Sequence, residues 1–313
     1  MKPKLILAGG TGFLGTVLAN YLAPQYEIIV LSRHSLASFE SHHNIRFVKW
    51  DGNTLGAWTH ELEGAFGLVN LAGKSVNCRY NKRNKAAIFD SRIASTKVLG
   101  AAIASIQNPP AVWLNSSTAT IYRHAEDRDM DEMTGEFHDD FSVQVAKLWE
   151  QTFYEMPTPH TRKVALRASI VMGRADGAFP RFRNLAKLGL GGHQGSGSQF
   201  VSWIHEYDFA RAVAFLLNNE TCLGNFNLAA NPVTNHYFMN SLRRVVHVPF
   251  GIPAPSWLLK IGMWLLGTET ELLLKSRRVV STRLKEAGFE FTFPTIEQAL
   301  FDLINQPKTL TDS

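Results

Sequence analysis

Cysteine and long apolar runs are scarce in this sequence. Its 313 residues include only Cys78 and Cys222, which excludes a disulfide-built scaffold and a cysteine-rich zinc site. The most apolar late segment, residues 257–267, contains Lys260 and is well short of the ~20 residues that a membrane-spanning helix needs. Glycines interrupt the N-terminal apolar stretch, so we expect no export signal and a cytoplasmic protein.

An excess of charge of one sign is also missing. The chain has 32 Lys and Arg against 27 Asp and Glu, a formal net charge of +5. This mild excess differs from the dense basic stripe of a nucleic-acid-binding protein, and we expect no nucleic-acid partner. Because no apolar segment is long enough to span a bilayer, we expect no membrane partner either. Eleven histidines show no ligand spacing, so we expect no metal site. The hydrophobic content of 45% predicts a globular chain with a large core.

Up to about residue 170, the chain alternates short apolar runs with segments of helical spacing. The apolar runs are residues 4–8, 28–31, 45–48, 68–71, 111–115 and 164–170. Several helical segments lie between them, and Pro109-Pro110 ends one of these before the next strand. Strands that alternate with helices predict βαβ units, and therefore an α/β fold with a doubly wound parallel sheet of the Rossmann type.

The character of the sequence changes near Gly173. A glycine-rich loop covers residues 189–197. Later helical segments are predicted at about residues 205–217, 235–246 and 256–274. We predict a dinucleotide-binding domain over residues 1–172, to which the chain returns at about 199–230. A smaller, mostly helical substrate-side domain then covers residues 173–313.

A glycine-rich turn follows the first predicted strand at once, and a helix begins inside it. Gly9, Gly12 and Gly15 have the spacing of a dinucleotide-binding loop. Such glycines permit the tight turn, the approach of the backbone to a pyrophosphate, and close packing of helix on strand. The N–H groups at the helix start favour negative charge there. The predicted cofactor-binding residues of this loop are Gly9, Thr11, Gly12, Phe13, Leu14 and Gly15.

The end of the second predicted strand indicates which nicotinamide cofactor is used. A carboxylate there would bind the ribose 2′-OH of NAD, whereas an arginine accommodates the 2′-phosphate of NADP. This strand ends in Ser32-Arg33, and Glu27 lies at its beginning instead. Arg33 can donate two parallel hydrogen bonds to a phosphate, and Ser32 can donate a third. A solvated arginine is the alternative, and we predict NADP(H).

Three further motifs, taken with the glycine loop, resemble the extended short-chain dehydrogenases/reductases, the group of the nucleotide-sugar epimerases. These motifs are Val69-Asn70-Leu71-Ala72-Gly73, Asn115–Tyr122 and Trp203-Ile204-His205-x-x-Asp208. A second set is similar to an atypical subgroup, the epimerase family, which in animals includes short-chain dehydrogenase/reductase family 39U. That set comprises Ser91-Arg92 with Thr96, Trp149-Glu150, Leu166-Arg167, the glycine-rich residues 188–197 and Asn231–Asn235. The resemblance covers nearly the whole chain.

This resemblance implies NADP(H) binding on a Rossmann fold. It places Ser32 and Arg33 at the 2′-phosphate and the segment Leu71-Ala72-Gly73 along the ribose and nicotinamide. It also assigns cofactor contacts to Arg92 and Val171. From the residues alone, Arg92 in an amphipathic helix would be interpreted as a surface charge.

The catalytic pair of the superfamily, Tyr-x-x-x-Lys, is absent. Aligned on Glu150, the two positions hold Ser142 and Ala146, and a shift by one residue gives Val143 and Lys147. A hydroxyl that orients the substrate is still predicted, because Thr118 falls in the corresponding position after the fifth strand. Tyr122 is the nearest substitute for the missing acid, since we expect it to face the cleft. The alternative for Tyr122 is a core tyrosine whose hydroxyl finds a partner.

A basic cluster precedes the long second helix, and it indicates what kind of substrate could be bound. Arg79, Lys82, Arg83 and Lys85 could receive an anionic small molecule, although a solvated helix start explains them equally simply. His205 is interpreted as a capping or packing residue. We expect hydride chemistry on a carbonyl or sugar-nucleotide-like small molecule. The alternative is a catalytically silent, NADP(H)-binding regulator or interaction protein.

Overall fold

The computed structural model describes residues 2–34, 43–257, 259 and 274–305. Its strands are β1 (Lys4–Ala8), β2 (Glu27–Ser32), β3 (Ile45–Lys49), β4 (Gly67–Asn70), β5 (Val112–Thr118), β6 (Arg162–Ala168), β7 (Ile170–Met172), β8 (Phe200–Val201), β9 (Trp203–His205), β10 (Gly224–Leu228) and β11 (Val233–Thr234). Seven of them form one sheet in the order β3-β2-β1-β4-β5-β6-β10, and every pairing in it is parallel. The predicted doubly wound Rossmann sheet is therefore confirmed.

Helices cover both faces of this sheet. They are α1 (Phe13–Leu22), α2 (Lys82–Ser105), α3 (Phe141–Glu155), α4 (Phe179–Lys187), α5 (Glu206–Asn218), α6 (Asn235–Val245), α7 (Thr282–Glu286) and α8 (Ile296–Asn305). Side chains satisfy the free N–H groups at several helix starts, as Asn81 does for α2 and Asp140 for α3. His205 caps α5, because its Nδ1 accepts the Tyr207 N–H at 3.0 Å, which confirms its predicted capping role.

The largest apolar cores of the described residues hold these layers together. On one face of the sheet, α1 and α5 pack against the strands through side chains such as Leu18 and Val213. On the other face, Leu99 of α2 and Phe153 of α3 do the same. A third core joins α4, α6 and α8, and Phe238 lies at its centre. No helix in the described part of the chain is long and apolar enough to span a bilayer.

Two sequence predictions about the strands differ from the structure. The run 164–170 was expected as one strand, but the chain leaves the main sheet at Ser169. There the N–H and Oγ of Ser169 both donate to the Leu228 carbonyl oxygen, and β7 then pairs with β9 in a separate sheet. The strand β10 was not predicted at all. The helix expected at 256–274 lies mostly outside the described residues.

A late segment, residues 276–281, joins loops that are distant in the sequence. The Ser276 hydroxyl donates to the Ala125 carbonyl oxygen and accepts the Phe200 N–H. Met130 exchanges backbone hydrogen bonds with residues 278 and 280. Ser281 binds both backbone groups of Ala229 through its hydroxyl. The segment therefore ties together the loops after β5, before β8 and after β10.

Candidate cofactor site

In the glycine loop after β1, neighbouring protein atoms leave no room for a side chain at two of the three glycines. Gly9 has φ +73°, and a Cβ there would lie 2.7 Å from the Ala72 Cα atom. A Cβ on Gly15 would overlap the backbone of Gly10. Gly12 is different, because its φ is −80° and no atom lies within 4 Å of the position of its Cβ. Protein packing therefore does not require glycine at residue 12, whereas a closely bound pyrophosphate would.

The start of α1 is suited to an anion. Its N-cap is Gly12, which provides no side-chain acceptor for the N–H groups of the first turn. The Phe13 ring holds this start against the loop after β7, since a Cβ on Gly173 or Gly177 would collide with it. Leu14 packs against the core. The geometry of these loop residues fits a dinucleotide phosphate, and their contact with a cofactor stays a prediction.

The end of β2 lies beside this loop. The Thr11 and Ser32 hydroxyls are 3.0 Å apart, and Arg33 follows with its side chain exposed. The N–H of His34 donates to the Ser32 hydroxyl at 3.3 Å. The structure therefore brings Thr11 and Ser32 together, and Arg33 is the residue that follows Ser32. No carboxylate stands between residues 28 and 34.

Arg92 reaches from α2 to the loop after β4. Its Nη1 donates to the carbonyl oxygens of Lys74 at 3.0 Å and Ile88 at 3.1 Å, and its guanidinium lies 5.0 Å from the Trp149 ring. A Cβ on Gly73 would be 3.2 Å from the Arg92 Cζ atom. Burial lowers the pKa of Arg92 to about 10. Since these contacts include no carboxylate, a bound anion would be the natural partner of this cation.

Buried amides shape the same loop, and the sequence prediction missed them. The Asn70 side chain donates to the Asn115 Oδ1 atom at 2.7 Å and accepts the Ala72 N–H at 3.0 Å. The Trp149 indole donates to the Thr96 hydroxyl at 3.0 Å. These neighbours therefore hold the loop Leu71-Ala72-Gly73 in place, and its contact with a cofactor stays a prediction. The available signal was one asparagine at the end of β4 and another in the middle of the adjacent strand β5.

Val171 occupies a different setting from the other predicted cofactor residues. It lies in β7, opposite Ile204 of β9, and its side chain is buried in the main core. Its backbone is close to the loop that holds Phe13, because a Cβ on Gly177 would lie 3.0 Å from the Val171 carbonyl oxygen. A cofactor contact by Val171 stays a prediction.

The expectation that Tyr122 faces the cleft is wrong. Its side chain is fully buried, and its hydroxyl donates to Asn227 Oδ1 at 3.0 Å and accepts from Arg167 Nη1 at 2.9 Å. Burial raises the pKa of Tyr122 to about 12, although the nearby Arg167 acts in the opposite direction. Burial and a raised pKa are both unfavourable for a general acid near neutral pH. Tyr122 therefore corresponds to the alternative interpretation, a core tyrosine whose hydroxyl has protein partners.

Thr118 is the predicted catalytic residue that does lie at the sheet edge. It is half-buried at the end of β5, and its hydroxyl is 3.0 Å from that of Thr120. It also accepts the Thr120 N–H at 3.2 Å and so caps the short turn that follows. A substrate-orienting role for Thr118 stays a prediction.

The positions of the missing Tyr-x-x-x-Lys pair carry no equivalent chemistry in either alignment. Ala146 is buried beside Tyr122. Lys147 is exposed and donates to the His138 carbonyl oxygen at 3.1 Å. Val143 is buried, and Ser142 lies in the first turn of α3. No phenol of α3 therefore lies in either tyrosine position.

A buried ion pair connects two motifs of the family resemblance. Arg167 of β6 donates to both Glu150 oxygens, at 2.8 and 2.7 Å, and the Ser117 hydroxyl donates to the same carboxylate at 2.5 Å. Both charged side chains are almost inaccessible. Together with Tyr122 and Asn227, these side chains form one buried hydrogen-bonded network. The sequence prediction missed this role because the partners come from separate elements.

The cations of the basic cluster around the start of α2 differ in their exposure to solvent. Lys82 and Arg83 are exposed at the start of α2, whereas Lys85 lies 4.9 Å from the Phe141 ring. Lys275 forms an ion pair with Asp140, the N-cap of α3. Within the described ranges, no three His, Cys, Asp or Glu side chains are grouped as metal ligands.

Known proteins resemble this chain along almost its full length. The model of the NAD dependent epimerase/dehydratase family matches residues 5–229, and a domain of unknown function, DUF1731, matches residues 254–303. The epimerase family protein SSP1921 of Staphylococcus saprophyticus is 32% identical over 308 residues, which are 97% of this chain and all of the relative. The epimerase family protein MW0731 of Staphylococcus aureus is 31% identical over 309 residues, 98% of this chain and all of that protein.

Solved structures agree with this relationship. The human epimerase family protein SDR39U1, crystallised with NADPH, has a TM-score of 0.84 and 28% identity, and the match covers 96% of this chain and 98% of that one. A UDP-N-acetylglucosamine 4-epimerase from Methanobrevibacter ruminantium shares the fold, with a TM-score of 0.77, 18% identity and coverage of 97% of both chains. This chain therefore belongs to the NAD dependent epimerase/dehydratase family, as an atypical, epimerase-family member of the short-chain dehydrogenases/reductases.

Proposed function

We propose that the chain binds NADP(H) in preference to NAD(H). The observation that carries this proposal is the contact between Thr11 of the glycine loop and Ser32 at the end of β2, with Arg33 next to it. A dinucleotide on this loop would place its ribose 2′ position beside that pair. Arg33 and Ser32 would then bind a 2′-phosphate, and residues 28–34 contain no carboxylate that could bind a free 2′-OH.

Two other features support a dinucleotide at this site. Gly12 leaves open space at the start of α1, where the pyrophosphate would lie. Arg92 offers a partly buried cation at the loop after β4, and its contacts are carbonyl oxygens and an indole ring. The human relative that was crystallised with NADPH supports the same cofactor.

A titration of both cofactors tests the preference. NADPH should bind more tightly than NADH by about 1–3 kcal/mol, the scale of hydrogen bonds to a charged group. Arg33→Ala should remove most of this difference, and Arg33→Lys should retain part of it because it keeps the charge. Lys97→Ala, which removes an exposed cation from α2, is the matched control and should change nothing. Equal affinity of the wild-type protein for both cofactors would contradict the proposal.

For the reaction, the proposal is hydride exchange with a carbonyl or alcohol carbon of a small, anionic molecule. The bound cofactor supplies or accepts the hydride. Thr118 would hold the substrate oxygen by a hydrogen bond, since its hydroxyl lies at the edge of β5. The cations at the start of α2, including Lys82 and Arg83, would attract the negative charge of the substrate.

A catalytically silent cofactor-binding protein is the second candidate. The burial of Tyr122 favours it, because that phenol has two protein partners and is not accessible to a substrate. Oxidation of NADPH in the presence of a panel of anionic carbonyl compounds discriminates the two candidates. Turnover that falls in Thr118→Val while NADPH affinity is unchanged supports the enzyme. Tight NADPH binding without turnover across the panel supports the silent protein.

A further inference from the structure

One exposed apolar surface is independent of the cofactor site. Six of the fourteen large apolar side chains that are exposed in the described ranges lie within residues 185–190 and 250–257. Scattered apolar residues are normal on a protein surface, but such a concentration on two short segments marks an interaction site. We call Leu188, Leu190, Phe250 and Ile252 the apolar face; each of them is 46–74% exposed.

Backbone contacts make this face continuous. The Ile252 N–H donates to the Gly189 carbonyl oxygen at 2.9 Å, and the Gly192 N–H donates to that of Ile252 at 3.2 Å. The Phe250 ring lies over Gly189, where a Cβ would be 2.9 Å from its Cε2 atom. The two loops therefore present their apolar side chains together, on a paired backbone that is already ordered.

The two chain segments that include the apolar face contain basic residues but no acidic ones. Residues 179–200 and 235–257 contain five Lys and Arg and no Asp or Glu, although the chain has 27 acidic residues in all. Lys187 directly precedes the face, and Arg243 donates to the Gly191 carbonyl oxygen at 2.7 Å. Glu297 of α8 lies beside α6, where it accepts from the Ser241 and Tyr237 hydroxyls and interacts with the charge of Arg244. The two segments themselves contribute five cations and no carboxylate, and Glu297 offsets part of the charge of Arg244.

A basic depression of about 600 Å³ adjoins the apolar face. It is lined by Asn240, Arg243, Arg244, His247, Val248 and Pro249. Phe250 follows the last of these residues directly, so an apolar side chain and a cationic pocket are adjacent. This combination is suited to a surface that offers anionic groups and apolar chains at the same level, as phospholipids do.

We propose that this face docks on an anionic phospholipid surface, with the apolar side chains at the acyl boundary and Lys187, Arg243 and Arg244 among the phosphates. A second copy of the chain fits less well, since two identical basic rims would repel each other. A nucleic acid would leave the apolar side chains without partners. The sequence argument against a membrane partner rested on the lack of a spanning segment, and docking through loops needs none. The inference does not depend on the proposed cofactor.

Flotation of the full chain with vesicles tests the inference. The protein should bind phosphatidylcholine vesicles that contain about one third phosphatidylglycerol, and bind pure phosphatidylcholine at least about tenfold more weakly. Phe250→Ser should weaken binding by about 10- to 100-fold, the value of one buried aromatic side chain. Lys187→Gln and Arg244→Gln should each weaken it by about fivefold. High salt should weaken binding of the wild-type protein.

Matched controls lie on another surface. Leu55 is 55% exposed, and Lys97 is exposed in the same shallow groove beside α2. Leu55→Ser and Lys97→Gln should bind vesicles as the wild-type protein does. All variants change exposed side chains, and unchanged thermal midpoints and NADPH titrations verify that they fold. These readouts also separate a failure here from a failure of the proposed function.

Several outcomes would overturn the inference. Equal binding to both vesicle types, or no binding to either, excludes recognition of anionic lipid. Loss of binding in the controls as large as in Phe250→Ser removes the role of the apolar face. Complete release by soluble glycerol phosphate at a matched phosphate concentration shows a single anion site. Binding to polyglutamate that Phe250→Ser abolishes equally would assign the face to an acidic protein.

Discussion

Neutralising Glu150 is expected to cost a large part of the stability of the fold. In Glu150→Gln the shape is kept, but Arg167 remains as a cation whose side chain is only 4% exposed. Two unit charges about 4 Å apart interact by about 4 kcal/mol at an effective dielectric constant near 20. Breaking a buried pair by removing one partner costs about 3–5 kcal/mol. We therefore expect a loss of about 3–5 kcal/mol in the free energy of unfolding.

The second half of the pair provides a test of this reasoning. Arg167→Met should cost about the same, because it leaves the Glu150 carboxylate buried with only the Ser117 hydroxyl as donor among the contacts above. The double variant leaves no buried charge, so its cost should be about 2–3 kcal/mol less than the sum of the two single costs. An exposed bidentate pair, Arg46–Glu61, is the matched control, and Glu61→Gln should cost at most about 1 kcal/mol.

Equilibrium unfolding in urea without cofactor measures these values. Tryptophan fluorescence and far-UV circular dichroism should give coincident transitions, which permits free energies to be compared. Strictly additive costs in the double variant would refute the coupling between Glu150 and Arg167. A cost for Glu150→Gln no larger than that for Glu61→Gln would refute the importance of burial.

Three further predictions follow from the site. Tyr122→Phe leaves an Arg167 N–H and an Asn227 oxygen without their partner. It should therefore lower the free energy of unfolding in urea by about 1–3 kcal/mol. The NADPH affinity measured by fluorescence titration should stay unchanged. Gly12→Ala should fold with wild-type stability but lose NADPH binding, whereas Gly15→Ala should be destabilised itself; equal thermal midpoints for the two would contradict this. Arg92 loses its charge as the pH rises through a pKa of about 10, so NADPH affinity should fall between about pH 9 and 11, roughly one unit either side of that pKa, and stay flat in Arg92→Met.

The parts of the site that the sequence predicts are those encoded locally. The glycine loop combines a strand, a turn and a helix start within residues 4–22, and its backbone is determined by those neighbours. The parallel sheet follows because fully apolar runs such as residues 28–31 are typical of strands buried on both faces. His205 could be assigned because a cap depends only on the residues that follow it.

The parts that escaped prediction depend on distant residues. Tyr122 is buried by Arg167 and Asn227, which are 45 and 105 positions away in the chain. A strand-end tyrosine has the same local sequence whether it faces a cleft or a polar network, so the pattern could not separate the two. The strand β10 was missed because its residues are held by pairing with β6 and carry few apolar side chains of their own.

The tie formed by residues 276–281 has a consequence for the order in which the protein is completed during synthesis. The chain leaves the ribosome from its N-terminus, and domains begin to fold before translation ends. Strands β1 to β6 can therefore pair while Ser276 and Ser281 are still unmade. The loops around Ala125, Met130 and Ala229 must wait for hydrogen-bond partners that are among the last to emerge. A product that stops short of residue 276 would keep the parallel sheet but expose unpaired backbone in these loops, which makes it a substrate for proteases rather than a smaller stable protein.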